Sequence, residues 1–88
     1  ELQAPVAKKR VKPTYPAKMK SKGVEAICKL QFFLDEEGTP HDVKVEDCPE
    51  AFQAATTKAA YKWRFSPMKE DGKSVPSQFM TYFAFKMD

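Results

Sequence analysis

The sequence predicts an α+β fold: a three-stranded antiparallel-based sheet in the order 2-1-3, with two helices packed on one face. Three observations predict it. Residues 24–35 and 75–87 alternate apolar and polar with a period of two, the mark of strands with one buried face. A helical run, Phe52, Ala55, Ala59 and Trp63, lies between them. Turn residues punctuate the chain at Gly23, Gly38 and Gly72, its three glycines.

The elements follow in order. Residues 1–12 carry Lys8, Lys9, Arg10 and Lys12 without an apolar period and read as a basic arm or linker. The folded domain is expected over 13–88. Pro16 suits the first position of a short helix over 16–22, and Gly23 suits the left-handed residue after it. In the first strand Val24, Ala26, Cys28, Leu30, Phe32 and Leu34 share the inward face. The turn Asp35-Glu36-Glu37-Gly38-Thr39 places glycine where a hairpin needs positive φ, and His41 to Asp47 returns as the second strand with Val43 and Val45 inward.

Asp47 or Cys48 is expected to cap the second helix, with Pro49 in its first turn and Glu50 near its positive end. Pro67 stops that element. A polar turn centred on Asp71-Gly72 follows. The last strand then runs from Val75 to Met87. There Phe79, Thr81, Phe83 and Phe85 face one side, and Gln78, Met80, Tyr82, Ala84 and Lys86 the other. A hairpin, a helical crossover and a third strand beside the first give the order 2-1-3 and leave one sheet face open.

Size and composition narrow the function. With 88 residues the chain is one domain with a modest core, too small to add a deep enclosed active site. No apolar run approaches the ~20 residues that span a bilayer. The net charge of +3 comes from the N-terminal lysines. That cluster fits a solvated linker, or an arm that meets nucleic acid, anionic lipid or an acidic partner.

Catalysis has no constellation to rest on. His41 and Asp42 are strand neighbours on opposite faces. Asp35, Glu36 and Glu37 cluster at a solvated hairpin tip, Ser66 and Ser77 lack a nucleophile elbow, and no glycine-rich phosphate loop exists. No cofactor, metal or enzyme activity is expected. Aromatic and basic residues on an open sheet resemble RNA platforms, but the element order is not that of an RNA-recognition fold, so no nucleic-acid partner is expected. Cys28 and Cys48 fit neither zinc nor CxxC spacing and are either reduced core thiols or one disulfide. The third strand is a long edge with Lys86 as its one internal charge; such an edge is open to strand addition unless the arm or another segment covers it.

From residue 13 onward these features form an ordered set that resembles the TonB C-terminal domain family. They are Tyr15-Pro16, Gly23-x-x-Ala26, Glu37-Gly38, the helix of Phe52, Ala55 and Ala59 ending in Trp63-Arg64-Phe65, then Pro67, Gly72 and Phe85-Lys86-Met87. Departures are Ala26 in place of a second glycine, Met19, Thr56, Thr57 and Ala60 at positions usually small or aliphatic, and the two cysteines.

The resemblance implies a periplasmic domain of a protein anchored in the inner membrane by a segment outside this sequence. It implies an inner-membrane motor complex on one side and an outer-membrane TonB-dependent transporter on the other. The transporter's short extended segment would add to the third strand over Gln78–Lys86, with the approach stretch Val11, Lys12, Pro13, Thr14, Tyr15 and Pro16 also meeting it. Phe32, Phe52, Trp63, Phe65, Pro67 and Gly72 are expected to be structural. The implied oxidising compartment permits a Cys28–Cys48 bridge, which would stabilise by roughly 3 kcal/mol. Two other readings stay open: an adaptor in another envelope machine, such as motility or polar localisation, and a homodimer through the edge strand.

Overall fold

The computed structural model describes residues 2–87; Glu1 and Asp88, the outer ends of the predicted arm and domain, lie outside the described residues. The central sheet is formed by β3 (Ala26–Leu34), β4 (Pro40–Glu46) and β8 (Ser77–Phe85), with β3 in the middle and antiparallel to both. Its inner face is the one the alternation predicts from Ala26 onward; Val24, expected at its start, lies before β3 and is exposed. Cys28, Leu30, Phe32 and Leu34 are fully buried, and Phe83 and Phe85 join them from β8. Phe32 sits opposite both Val43 and Phe79, so one residue ties all three strands.

Helix α2 (Glu50–Ala60) covers that face. Its buried residues are Phe52, Thr56, Ala59 and Ala60. Ala55, expected at the centre of the stripe, is only half-buried, because the helix is rolled toward Thr56 and Ala60. The expected cap at Asp47 or Cys48 is replaced by Pro49, which makes no side-chain cap bond. Asp47 is instead spent on the bend, with φ +51. The helix also ends earlier than Pro67 requires: after Ala60 the chain turns, and Arg64–Phe65 is already a strand, β5.

Helix α1 (Ala17–Ser21) is short, and its end shows why Gly23 is needed. Val24 N–H bonds the Met19 carbonyl and Gly23 N–H bonds that of Lys20, a Schellman closure with Gly23 at φ +67. Gly38, at φ +84, also sets a contact. A Cβ there would lie 2.1 Å from the Phe65 carbonyl oxygen, while Phe65 N–H bonds the Gly38 carbonyl at 3.0 Å. The hairpin tip is thereby fixed to the chain that leaves α2.

Two regions differ from the sequence reading. The stretch expected as one strand over 75–87 is broken at Pro76. Before it, β6 (Met68–Glu70) and β7 (Lys73–Val75) make their own hairpin, whose tight turn Asp71-Gly72 takes positive φ at both positions. That pattern matches the twist of a two-residue hairpin, and it ends the run because proline carries no N–H for the ladder. The arm is also seated. Leu2–Gln3 (β1) pairs with β6, and Ala7–Lys9 (β2) pairs with β5. Between them Val6 N–H bonds Ser66 Oγ at 3.0 Å and Ser66 N–H bonds the Val6 carbonyl at 2.8 Å.

Cys28 and Cys48 are joined as a disulfide with their Cα atoms 4.4 Å apart. The bridge links the first part of β3 to the chain entering α2. Among the described residues no helix is long and apolar enough to cross a membrane.

Candidate functional site

The outer edge of β8 is the site the topology leaves available. Among the described residues β8 pairs with β3 on one side and with no strand on the other. The arm does not cover it, because its two short strands are drawn to β5 and β6.

What faces the edge is the stretch that follows the arm. Residues 10–13 and Tyr15 stand across from Thr81–Lys86, and between them lies a groove of about 470 Å³ with Trp63 at its base. Trp63 is 5% exposed, and its indole N–H donates to the Val11 carbonyl at 2.9 Å. The Arg10 guanidinium lies 5.6 Å from the Trp63 ring centroid, within cation–π range.

Tyr15 fixes the other end of the wall. Its hydroxyl donates to the Val24 carbonyl, and its ring meets Phe52 and Phe85 edge-on at 5.9 and 5.5 Å. Desolvation, then the Glu25 carboxylate, raises its hydroxyl pKa above the ordinary value. Glu25 also accepts a hydrogen bond from Met87 N–H at 2.6 Å, which holds the strand end beside Tyr15.

The residues singled out from the sequence divide. Val11, Lys12, Pro13 and Tyr15 share the edge groove with Thr81, Tyr82, Phe83, Ala84, Phe85 and Lys86. Gln78, Phe79 and Met80 lie toward the far end of β8, outside it. Thr14 and Pro16 turn the other way, into a second groove against α2. Phe83 and Phe85 offer backbone only, their side chains being in the core, whereas Tyr82 is 59% exposed on the open face. Met80 and Ile27 are exposed on that face too.

Arg10 and Glu25 went unremarked in the sequence as site residues. Arg10 is one cation among several in its run, and nothing in the spacing marks it as the one over an indole. The expected structural residues Phe32, Phe52, Trp63 and Phe65 are all buried, with Phe32 meeting Trp63 at 5.2 Å and Phe65 at 5.0 Å.

The acidic tip shows why its carboxylates cluster. Asp35 accepts backbone hydrogen bonds from Thr39 and Glu37, each at 2.9 Å. The Thr39 bond, partly opposed by desolvation and aided by the Glu37 bond, lowers its pKa from the ordinary value. Among the described residues no group of three or more His, Cys, Asp or Glu could hold a metal ion.

Residues 11–87 match the family model described as the Gram-negative bacterial TonB protein C-terminal. The chain is 33% identical over 78 residues to Protein TonB of Pseudomonas aeruginosa, covering 86% of this chain and 23% of that protein. It is 38% identical over 85 residues to Protein TonB of Yersinia enterocolitica, covering 94% and 31%. It thus spans less than a third of the length of either relative. The solution NMR structure of the Pseudomonas aeruginosa TonB C-terminal domain superposes with a TM-score of 0.78 at 28% identity, covering 96% of this chain and 87% of that one.

Proposed function

The chain belongs to the family of Gram-negative bacterial TonB C-terminal domains, and from that membership we propose that it is the periplasmic, partner-gripping domain of an energy transducer. It takes an extended segment of an outer-membrane transporter as an added strand on β8. The remainder of the protein, anchored in the inner membrane, delivers force from a motor complex.

One observation carries this reading: the unpaired edge of β8 opens onto a groove whose far wall is held in place by Trp63 and Tyr15. Backbone pairing supplies affinity at such an edge while tolerating varied side chains, which suits a domain serving several partners. A preorganised wall lowers the ordering cost of binding.

The test is an NMR titration of the isotope-labelled chain with transporter TonB-box peptides at two salt concentrations. Shifts confined to the β8 amides and to Val11–Pro16 are expected. A folded chain that responds to no transporter peptide would overturn the transporter reading and direct the search to another envelope protein.

A further inference from the structure

The residues that wall the edge groove have a second side. Val11, Lys12 and Tyr15 also face α2, where Thr14, Pro16 and Ala17 join them, and the space between is a groove of about 630 Å³. Its floor on α2 is Ala51, Ala54, Ala55 and Ala59. Its rim carries Lys12, Lys58 and Lys62, and no carboxylate lines it.

Among the described residues no carboxylate lines this groove, for a reason visible in the sequence. Glu50, at the far end of α2, is that helix's single acidic residue, so neither lysine on the helix side finds a carboxylate one turn away. Lys44 and Glu46 form an ion pair at 3.9 Å on β4, away from the groove. The opposite wall is firm, because Tyr15 is anchored by its hydroxyl and packed on Phe52 and Phe85.

We infer that this groove is a second docking site, which takes an acidic helical segment of a partner protein. The alanines let a helix approach α2 closely, and its carboxylates meet Lys12, Lys58 and Lys62. The groove runs along α2 from Ala51 and past its end to Lys62, which favours a helix laid alongside over a peptide crossing it. This site goes beyond the strand-addition reading and shares only the Val11–Pro16 wall with it. A partner occupying both sides would clasp that wall between a strand and a helix.

The experiment titrates the isotope-labelled 88-residue chain with an alanine- and glutamate-rich helical peptide, at low and at physiological salt. A twin peptide with glutamine at every glutamate serves as the control. Expected are shifts confined to Ala51–Lys62 and Val11–Ala17, with the β8 amides unchanged. Binding should weaken at least about tenfold for the twin and for the exposed double variant Lys58→Glu/Lys62→Glu, whose unfolding midpoint should match the parent.

Equal response to the twin would overturn the proposal. So would shifts spread over Lys8–Lys22, or binding that survives the charge reversal. No response to the peptide alongside binding to phosphatidylglycerol vesicles would overturn it in favour of a lipid surface. Because the peptide is helical and β8 is silent in the expected result, failure here leaves the edge reading standing, and failure of the edge titration leaves this one standing.

Discussion

The indole N–H of Trp63 donates to the Val11 carbonyl at 2.9 Å, joining the end of the α2 region to a stretch 52 residues earlier in the chain. The bond meets the need of a buried indole for a polar partner and at the same time places one wall of the edge groove.

Trp63 therefore has two separable roles. Trp63→Ala should cost roughly 3–5 kcal/mol, enough to threaten so small a domain. Trp63→Phe keeps most of the packing and should cost about 1 kcal/mol for the lost hydrogen bond, plus the smaller ring. Urea unfolding measures both. Amide exchange across Val11–Pro16 should rise in the folded Phe variant; unchanged exchange would mean that the wall is held by something else.

The Cys28–Cys48 bridge closes a loop with a sequence separation of 20. Its loss should lower stability by roughly 3 kcal/mol on the chain-entropy model. Denaturant midpoints with and without reductant, and for Cys28→Ala/Cys48→Ala, check this. A midpoint indifferent to reductant would contradict it.

Gly38 and Gly72 both need positive φ, but a side chain at Gly38 would strike the Phe65 carbonyl whereas one at Gly72 meets nothing within 4 Å. Gly72→Ala should cost about 1–2 kcal/mol, the backbone term alone. Gly38→Ala should exceed it by about 1 kcal/mol or more, because backbone on both sides must move. Equal costs from thermal melts would show that the hairpin tip is free of Phe65.

Asp35 has its folded pKa lowered, first by the Thr39 N–H bond. A depressed carboxylate contributes stability that is present above its unfolded pKa and is lost as pH falls through the folded one. The advantage of the parent over Asp35→Asn should thus be full near neutrality and shrink in acid, below the ordinary carboxylate range. An advantage independent of pH would assign it to turn geometry rather than charge.

Thr56 is fully buried in α2, and its Oγ1 has no hydrogen-bond partner among the described residues. Thr56→Val keeps the shape and removes the unsatisfied hydroxyl. It should raise stability by about 1–2 kcal/mol, read as a higher urea midpoint. A loss instead would reveal a bond to Thr56 that forms in solution.

The two long strands of the central sheet, β3 and β8, were legible because burial on one face stamps a period of two on the residues themselves. Gly23 and Gly38 were legible as conformations, yet the Phe65 carbonyl over Gly38 was not, since a long-range contact leaves no trace in local spacing. The strands β1, β2 and β5 hold two or three residues each, too few to show any period, and their pairing is entirely non-local. The site was half legible. A long edge with few charges was visible, and so was the approach stretch through its resemblance to a known family. The sequence could not say that Thr81–Lys86, rather than all of Gln78–Lys86, faces Val11, or that Thr14 and Pro16 turn toward α2.

The seated arm bears on how the molecule responds to a mechanical load. Tension entering from the N-terminal side first reaches the ladders of β1 on β6 and β2 on β5, two and three residues long. Being shorter, those ladders would yield before the nine-pair ladder of β3 and β8, and their release would lengthen the N-terminal stretch while the edge of β8 stays folded. The arm would act as a mechanical fuse, stretching in small steps under a pull and reclosing when the pull ends.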